Sequence, residues 1–113
     1  MRMLGQALLL MGVLHGLSAG ACADGGDGKK IYESRCAFCH GMEGRGDGPA
    51  GAALKPPATN FAAPDYGKSA SMERIKDTIA QGRQGTAMIP FGKTLKPEEI
   101  DAVAQYVLGF APK

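Results

Sequence analysis

The most constraining feature of this 113-residue chain is the pentapeptide CAFCH at residues 36–40. It places two thiols, Cys36 and Cys39, three residues apart and puts the imidazole of His40 directly after the second thiol. A C-x-x-C-H run is the attachment signature of a c-type haem, in which each thiol adds to one vinyl group and the histidine becomes the proximal ligand of the iron. The motif therefore predicts one covalent heme c and its first axial ligand.

Two other uses of such cysteines fit the sequence less well. A structural zinc ion needs four ligands, typically cysteine or histidine, and no further Cys or His follows His40. A redox-active dithiol is expected within a βαβ pattern, whereas these cysteines end a short helical segment and precede a glycine-rich loop. We therefore interpret the motif as a haem site.

The N-terminus has the pattern of an export signal. A basic residue, Arg2, precedes an almost wholly apolar stretch over residues 4–17, and small residues with an Ala-x-Ala pattern occupy residues 18–23. The apolar stretch is shorter than the roughly 20 residues that span a bilayer, so an uncleaved anchor is the weaker interpretation. The sequence predicts a cleaved signal peptide at residues 1–23, a monohaem domain at residues 24–113 and a periplasmic location.

Cys22 leaves a second kind of processing open. A cysteine that follows small residues resembles a lipoprotein processing site, although that class prefers a larger aliphatic residue where Ala19 stands. Lipid anchoring through Cys22 is therefore the alternative. If cleavage follows Ala23, Cys22 is removed, and the mature chain keeps only its two haem cysteines.

The charge balance argues against nucleic acid as a partner. The chain carries 13 Lys and Arg residues against 11 Asp and Glu residues, and it has no polybasic tract.

Capping residues and apolar spacing predict three helices separated by irregular loops. Asp27 is expected to cap a first helix that runs over residues 28–35 into the cysteine motif. A second is expected to begin after Ser71 and stop at Gly82, and a third to run from Pro97 to about residue 108. No segment alternates strictly enough to be a strand, so the fold is predicted to be all-α.

These features together resemble the class I cytochromes c, small all-α electron carriers in which three main helices and irregular loops wrap around one covalently bound haem. Besides the CAFCH motif, the resemblance includes Gly28 and Tyr32 in the first helix and Tyr106 in the last, where the family packs its terminal helices across one another. A glycine at such a crossing permits close approach of the two backbones. The resemblance covers nearly all of residues 27–110.

The loops extend the resemblance. The run GDGP at residues 46–49 matches a loop in the small bacterial members, where the proline carbonyl accepts the Nδ1 hydrogen of the proximal histidine, and this implies that role for Pro49. Residues 54–61 are similar to a loop that covers part of the haem. The family's packing against the haem and its ligands is accordingly expected to involve Tyr32, Phe61, Ile89, Pro90 and Phe91.

The sixth ligand is not determined by elimination alone. The predicted mature chain has no second histidine, which leaves methionine, lysine, water or an open site. Met42 lies two residues from His40, and Met72 begins a helix, so Met88 is the best-placed methionine. The segment GTAMIPF at residues 85–91 resembles the family's methionine-ligand loop, although Ile89 stands where the family often has proline. The resemblance implies His40/Met88 ligation.

His/Met ligation implies one-electron transfer through an exposed haem edge, because both axial positions are filled. The expected function is a soluble periplasmic electron carrier, a monomer that docks transiently with redox partner proteins and is not an enzyme. Two alternatives remain open at this point. One is a haem subunit permanently bound to a periplasmic oxidoreductase, and the other is a haem-based gas or redox sensor.

Overall fold

The fold is all-α, as predicted. The computed structural model describes residues 25–113, and within that range it contains no strand. The predicted signal peptide, its cleavage site and Cys22 lie outside the described residues. The five helices are α1 (Gly25–Arg35), α2 (Ala37–His40), α3 (Tyr66–Ser69), α4 (Met72–Gln81) and α5 (Pro97–Leu108).

The first helix delivers the cysteine motif almost without interruption. The Cys36 amide donates to the Tyr32 carbonyl oxygen at 2.8 Å, and the His40 amide donates to the Cys36 carbonyl oxygen at 2.9 Å, so the helical bonding pattern passes from α1 into α2. The prediction that Asp27 caps α1 is wrong, because the helix already begins at Gly25 and places Asp27 in its first turn. A carboxylate there still faces the positive end of the helix dipole.

The other two predicted helices are confirmed with their boundaries. The Ser71 hydroxyl accepts the Arg74 amide at 3.2 Å at the start of α4, which ends before Gly82 with that glycine at φ +70°. In α5, Pro97 occupies the first turn, and the Lys96 amide donates to Glu99 Oε1 at 2.8 Å. The short helix α3 was not predicted, because four residues are too few to show a helical period.

The core lies where α1 crosses α5. A Cβ at Gly28 would overlap the main chain of Ala102, so only glycine lets the two helices approach this closely. Next to the crossing, the fully buried Tyr32 ring lies with its centroid 5.2 Å from those of both Tyr106 and Phe110. The family's crossing of terminal helices, expected from Gly28, Tyr32 and Tyr106, is therefore present.

The helix α4 packs against α5 and completes the scaffold. Ile75 and Ile79 of α4 are buried in the same cluster as Val103 and Val107 of α5. An ion pair between Lys76 Nζ and Asp101 Oδ1, at 2.8 Å, joins the two helices at the surface. None of the helices within residues 25–113 is both long enough and apolar enough to cross a bilayer.

The crossing predicts a specific cost for adding one methyl group to α1. The substitution Gly28→Ala should lower the free energy of unfolding of the holoprotein by about 1–3 kcal/mol, because the new Cβ must push α5 away. Urea unfolding measures this loss. Lys30→Ala, at an exposed position of the same helix, is the control and should change stability by less than about 0.5 kcal/mol. Equal effects of the two substitutions would show that the crossing tolerates a side chain.

Candidate haem site

Both cysteines of the motif are free thiols in the structure. Cys36 directly precedes α2, Cys39 lies within it, and both are half-buried. Burial raises the pKa of Cys36 to about 11, although the positive charge of Arg35 acts in the opposite direction. Two unpaired thiols one helical turn apart are the groups that thioether formation with a porphyrin requires.

The ring of His40 is oriented by one hydrogen bond and one stacking contact. Its Nδ1 lies 3.0 Å from the Thr59 carbonyl oxygen, and because a carbonyl can only accept, Nδ1 carries the hydrogen. Nε2 is then left with a free lone pair, the state in which a histidine binds a metal. Burial lowers the pKa of His40 and so favours the neutral ring, while the hydrogen bond to Thr59 acts in the opposite direction. The ring stacks on Phe61 at 4.4 Å between centroids.

The acceptor for His40 differs from the one predicted. Pro49 is exposed and lines an open cleft beside Gly41 and Asp47, and it is Thr59 that accepts from Nδ1. Main-chain bonds account for the difference. The Gly48 amide donates to the Cys39 carbonyl oxygen at 3.2 Å, and the Ala50 amide donates to the Phe38 carbonyl oxygen at 3.0 Å. These two bonds hold the loop that contains Pro49 against the α2 backbone.

The segment that contains Thr59 is fixed against the glycine-rich loop that follows the motif. The Phe61 amide donates to the Gly44 carbonyl oxygen at 2.6 Å. A Cβ at Gly46 would lie 2.5 Å from the Ala58 carbonyl oxygen, so the two backbones touch there. This anchoring presents the Thr59 carbonyl to the histidine.

Two of the predicted packing residues lie in the aromatic cluster around His40. Phe61 is buried between the His40 ring and the rings of Tyr66 and Phe110, at centroid distances of 5.2 and 6.4 Å from the latter two. Tyr32 lies deeper, and its hydroxyl donates to the Gly41 carbonyl oxygen at 2.7 Å. That bond fixes the residue immediately after His40 to the α1–α5 core.

Met88 is half-buried, and both of its main-chain polar groups are bonded within one turn. Its carbonyl oxygen accepts the Arg83 amide at 3.1 Å, and its amide donates to Thr86 Oγ1 at 3.1 Å. The Thr86 hydroxyl in turn donates to the Arg83 carbonyl oxygen at 2.7 Å. These three bonds form a closed loop over residues 83–88, which we call the Met88 turn.

The end of α4 packs against the Met88 turn. A Cβ at Gly82 would lie 2.7 Å from the Met88 carbonyl oxygen, and φ is positive there, so this position requires glycine on two counts. The Phe91 amide donates to the Ile79 carbonyl oxygen at 2.8 Å, which ties the chain after the turn to α4. Of the predicted packing residues in this region, Phe91 is half-buried against the core, whereas Ile89 and Pro90 are exposed.

One contact joins the histidine side of the site to the methionine side. The Arg83 guanidinium donates from Nη1 to Thr59 Oγ1 at 3.4 Å, and the carbonyl of the same threonine accepts from His40. Sequence reasoning missed Thr59, Arg83 and Thr86. A threonine two residues before a predicted ligand could have been recognised as a local turn-forming residue. Thr59 gives no such signal, because it acts on His40 through its main chain.

The donor set fits a c-type haem. Cys36 and Cys39 would hold the porphyrin through thioethers, and His40 presents an unprotonated Nε2 for the iron. Met88 is a half-buried methionine, and its turn is joined to Thr59, the hydrogen-bond partner of His40, by the side chain of Arg83. Among residues 25–113 no group of three or more His, Cys, Asp or Glu residues is placed to bind a metal ion.

Comparisons with known proteins agree with a protein that carries a c-type haem. The family described as "Cytochrome C oxidase, cbb3-type, subunit III" matches residues 23–107. A cytochrome c6 from Gloeothece citriformis is 32% identical over 117 residues, covering 100% of this chain and 98% of that protein. The CcoP subunit of a cbb3-type cytochrome c oxidase from Rubrivivax gelatinosus is 32% identical over 85 residues, covering 74% of this chain but only 25% of the subunit.

A solved structure agrees as well. The c-type cytochrome KustC0563 superimposes with a TM-score of 0.67 at 35% sequence identity, and the match covers 76% of this chain and 99% of that one.

The Met88 turn predicts that one hydroxyl group stabilises the loop. The substitution Thr86→Val keeps the shape of the side chain but leaves the Met88 amide without its acceptor, while the Arg83 carbonyl still accepts the main-chain amide of residue 86, and it should cost about 1 kcal/mol. Urea unfolding of the holoprotein measures the loss. Thr94→Val is the matched control, since the Thr94 side chain is exposed and makes no hydrogen bond in the described structure. A Thr86→Val protein as stable as the control would contradict the closed turn.

Proposed function

The chain belongs to the class I c-type cytochromes, electron-transfer proteins with covalently bound heme c, and from this premise we propose that it is a soluble, exported one-electron carrier ligated by His40 and Met88. Export is supported by the signal-like N-terminus at residues 1–23.

The observation that carries the proposal is the way in which Met88 is held. Its amide and carbonyl groups are both bonded within the Met88 turn, and Arg83 of that turn contacts the residue that orients His40. The other two described methionines are less suited. Met42 is 60% exposed and only two residues from His40, and Met72 packs against the helical core in the first turn of α4. Met88 is the methionine whose surroundings suit a fixed ligand.

The two side chains define what the site can do. When bound, the haem supplies a single iron that takes up and releases one electron. A methionine thioether is a soft ligand that favours the ferrous state, and it raises the reduction potential relative to a second hard or anionic ligand. With His40 and Met88 both bound to it, the iron would have no position left for oxygen or a substrate. Electron transfer is then the remaining chemistry.

Two large apolar side chains that neighbour the ligand residues in sequence are exposed. Phe38, between the two haem cysteines, is 66% exposed, and Ile89, directly after Met88, is 61% exposed. We propose that redox partners dock transiently on this side of a monomeric protein. Interfaces of electron carriers lie at the small end of the known range, and a few exposed apolar side chains suit such a brief contact.

The similarity to an oxidase subunit favours a second candidate function. The chain matches a segment that makes up a quarter of CcoP, a subunit of a cbb3-type cytochrome c oxidase. In this alternative the protein is a haem subunit held permanently by a periplasmic oxidoreductase. Co-purification with other subunits in a fixed ratio through high-salt washing would favour this alternative, whereas recovery of the free protein would favour the carrier.

Carbon monoxide tests whether Met88 closes the iron site. The reduced parent protein should bind carbon monoxide slowly or negligibly at neutral pH, and Met88→Ala should bind it rapidly, because the sixth position is then open. Stopped-flow absorption measures both rates, and Met42→Ala is the control that should match the parent. Rapid binding by the parent would contradict the closed carrier and favour a gas sensor from which Met88 dissociates.

A further inference from the structure

Thr59 contacts both sides of the proposed iron site through different atoms. Its carbonyl oxygen accepts from His40 Nδ1 at 3.0 Å, and its hydroxyl oxygen accepts from Arg83 Nη1 at 3.4 Å. The segment around Thr59 is itself fixed, since the Phe61 amide is bonded to the Gly44 carbonyl oxygen. Loss of the bond between the Arg83 guanidinium and Thr59 would therefore remove a contact between the Met88 turn and this segment.

Arg83 is the residue that begins the Met88 turn. Its amide donates to the Met88 carbonyl oxygen at 3.1 Å, and its own carbonyl oxygen accepts the Thr86 hydroxyl at 2.7 Å. The backbone of Arg83 thus closes the turn, while its side chain reaches across to the histidine side. No other residue in the described part of the chain forms hydrogen bonds to both the Met88 backbone and the partner of His40.

No carboxylate among residues 25–113 forms an ion pair with the Arg83 guanidinium. Within residues 25–113 the four ion pairs involve other cations, namely Lys29, Arg45, Lys68 and Lys76. Its hydrogen bond to Thr59 is therefore its one polar side-chain contact among these residues. Arg83 lies 24 residues after Thr59, so the contact connects two segments that are distant along the chain.

We propose that Arg83 is a positioning residue that couples the Met88 turn to the histidine side of the site through Thr59, and so keeps Met88 on the iron. The inference rests on the proposed His40/Met88 ligation. The bond from Arg83 to Thr59 holds the Met88 turn against the segment that orients His40. Without it the turn keeps its internal bonds and its attachment to the end of α4 but loses this contact with the Thr59 segment, and an added ligand replaces the thioether more easily.

Imidazole binding to the ferric holoprotein measures how firmly Met88 is held. Arg83→Gln shortens and neutralises the donor, and Thr59→Val removes the acceptor hydroxyl but keeps the carbonyl that binds His40. Each should raise the imidazole affinity about two- to tenfold, the range that one net hydrogen bond implies. Thr59→Ser restores the hydroxyl and should return the affinity to that of the parent.

The double variant and a charge-matched control identify the mechanism. If Arg83 acts through Thr59, the protein with both Arg83→Gln and Thr59→Val should bind imidazole no more tightly than the stronger single variant. Arg74→Gln removes an exposed cation at the opposite end of α4, where the guanidinium contacts the Ser69 carbonyl, and should leave the affinity unchanged. These results together would establish the coupling.

Three other results would overturn it. Unchanged affinity in Arg83→Gln and Thr59→Val would show that the contact does not hold Met88. Effects that multiply in the double variant would show that the two residues act separately, and an equal effect of Arg74→Gln would show a general influence of charge. The Met88→Ala variant distinguishes failure of the Arg83 coupling from failure of the proposed His40/Met88 ligation. If Met88→Ala binds imidazole no more tightly than the parent protein, Met88 is not the ligand, and both proposals fail.

Discussion

The hydrogen bond from His40 Nδ1 to the Thr59 carbonyl oxygen is the interaction on which the site depends. Because the acceptor is a carbonyl, the bond fixes which ring nitrogen carries the hydrogen and leaves Nε2 available as a ligand. It also holds the imidazole against the buried Phe61 ring. The same threonine receives Arg83 from the Met88 turn, so the orientation of the proximal histidine and the position of the proposed sixth ligand share one point of attachment.

The helical scaffold supports the two sides of this site separately. The α1–α5 crossing, made possible by Gly28, buries Tyr32, whose hydroxyl fixes the Gly41 carbonyl just after the motif. The end of α4 supports the Met88 turn through Gly82 and through the Phe91–Ile79 bond. A ligand set held by packed elements on both sides changes little in geometry when the charge on the metal changes. That rigidity suits a protein that only passes electrons.

Much of this could be predicted from the sequence, for reasons that are local. The CAFCH motif indicates its chemistry by spacing alone, and Ser71, Gly82 and Pro97 mark helix ends because their backbone preferences act within a few residues. The predicted start of α1 was wrong because an aspartate is favourable both as an N-cap and within the first turn of a helix, so Asp27 alone does not mark the boundary. The acceptor for His40 could not be derived, since Thr59 lies 19 residues from the histidine and acts through a main-chain carbonyl that every residue possesses. Its position depends on the tertiary contacts of its segment with Gly44 and Gly46.

The most direct test of the account is the ferric absorption spectrum of the purified holoprotein near neutral pH, recorded beside that of Met88→Ala. The account predicts a low-spin parent spectrum with the weak charge-transfer band of an iron to methionine-sulfur bond, and loss of that band in the variant. A high-spin parent spectrum that Met88→Ala leaves unchanged would contradict ligation by Met88 and, with it, the closed one-electron carrier.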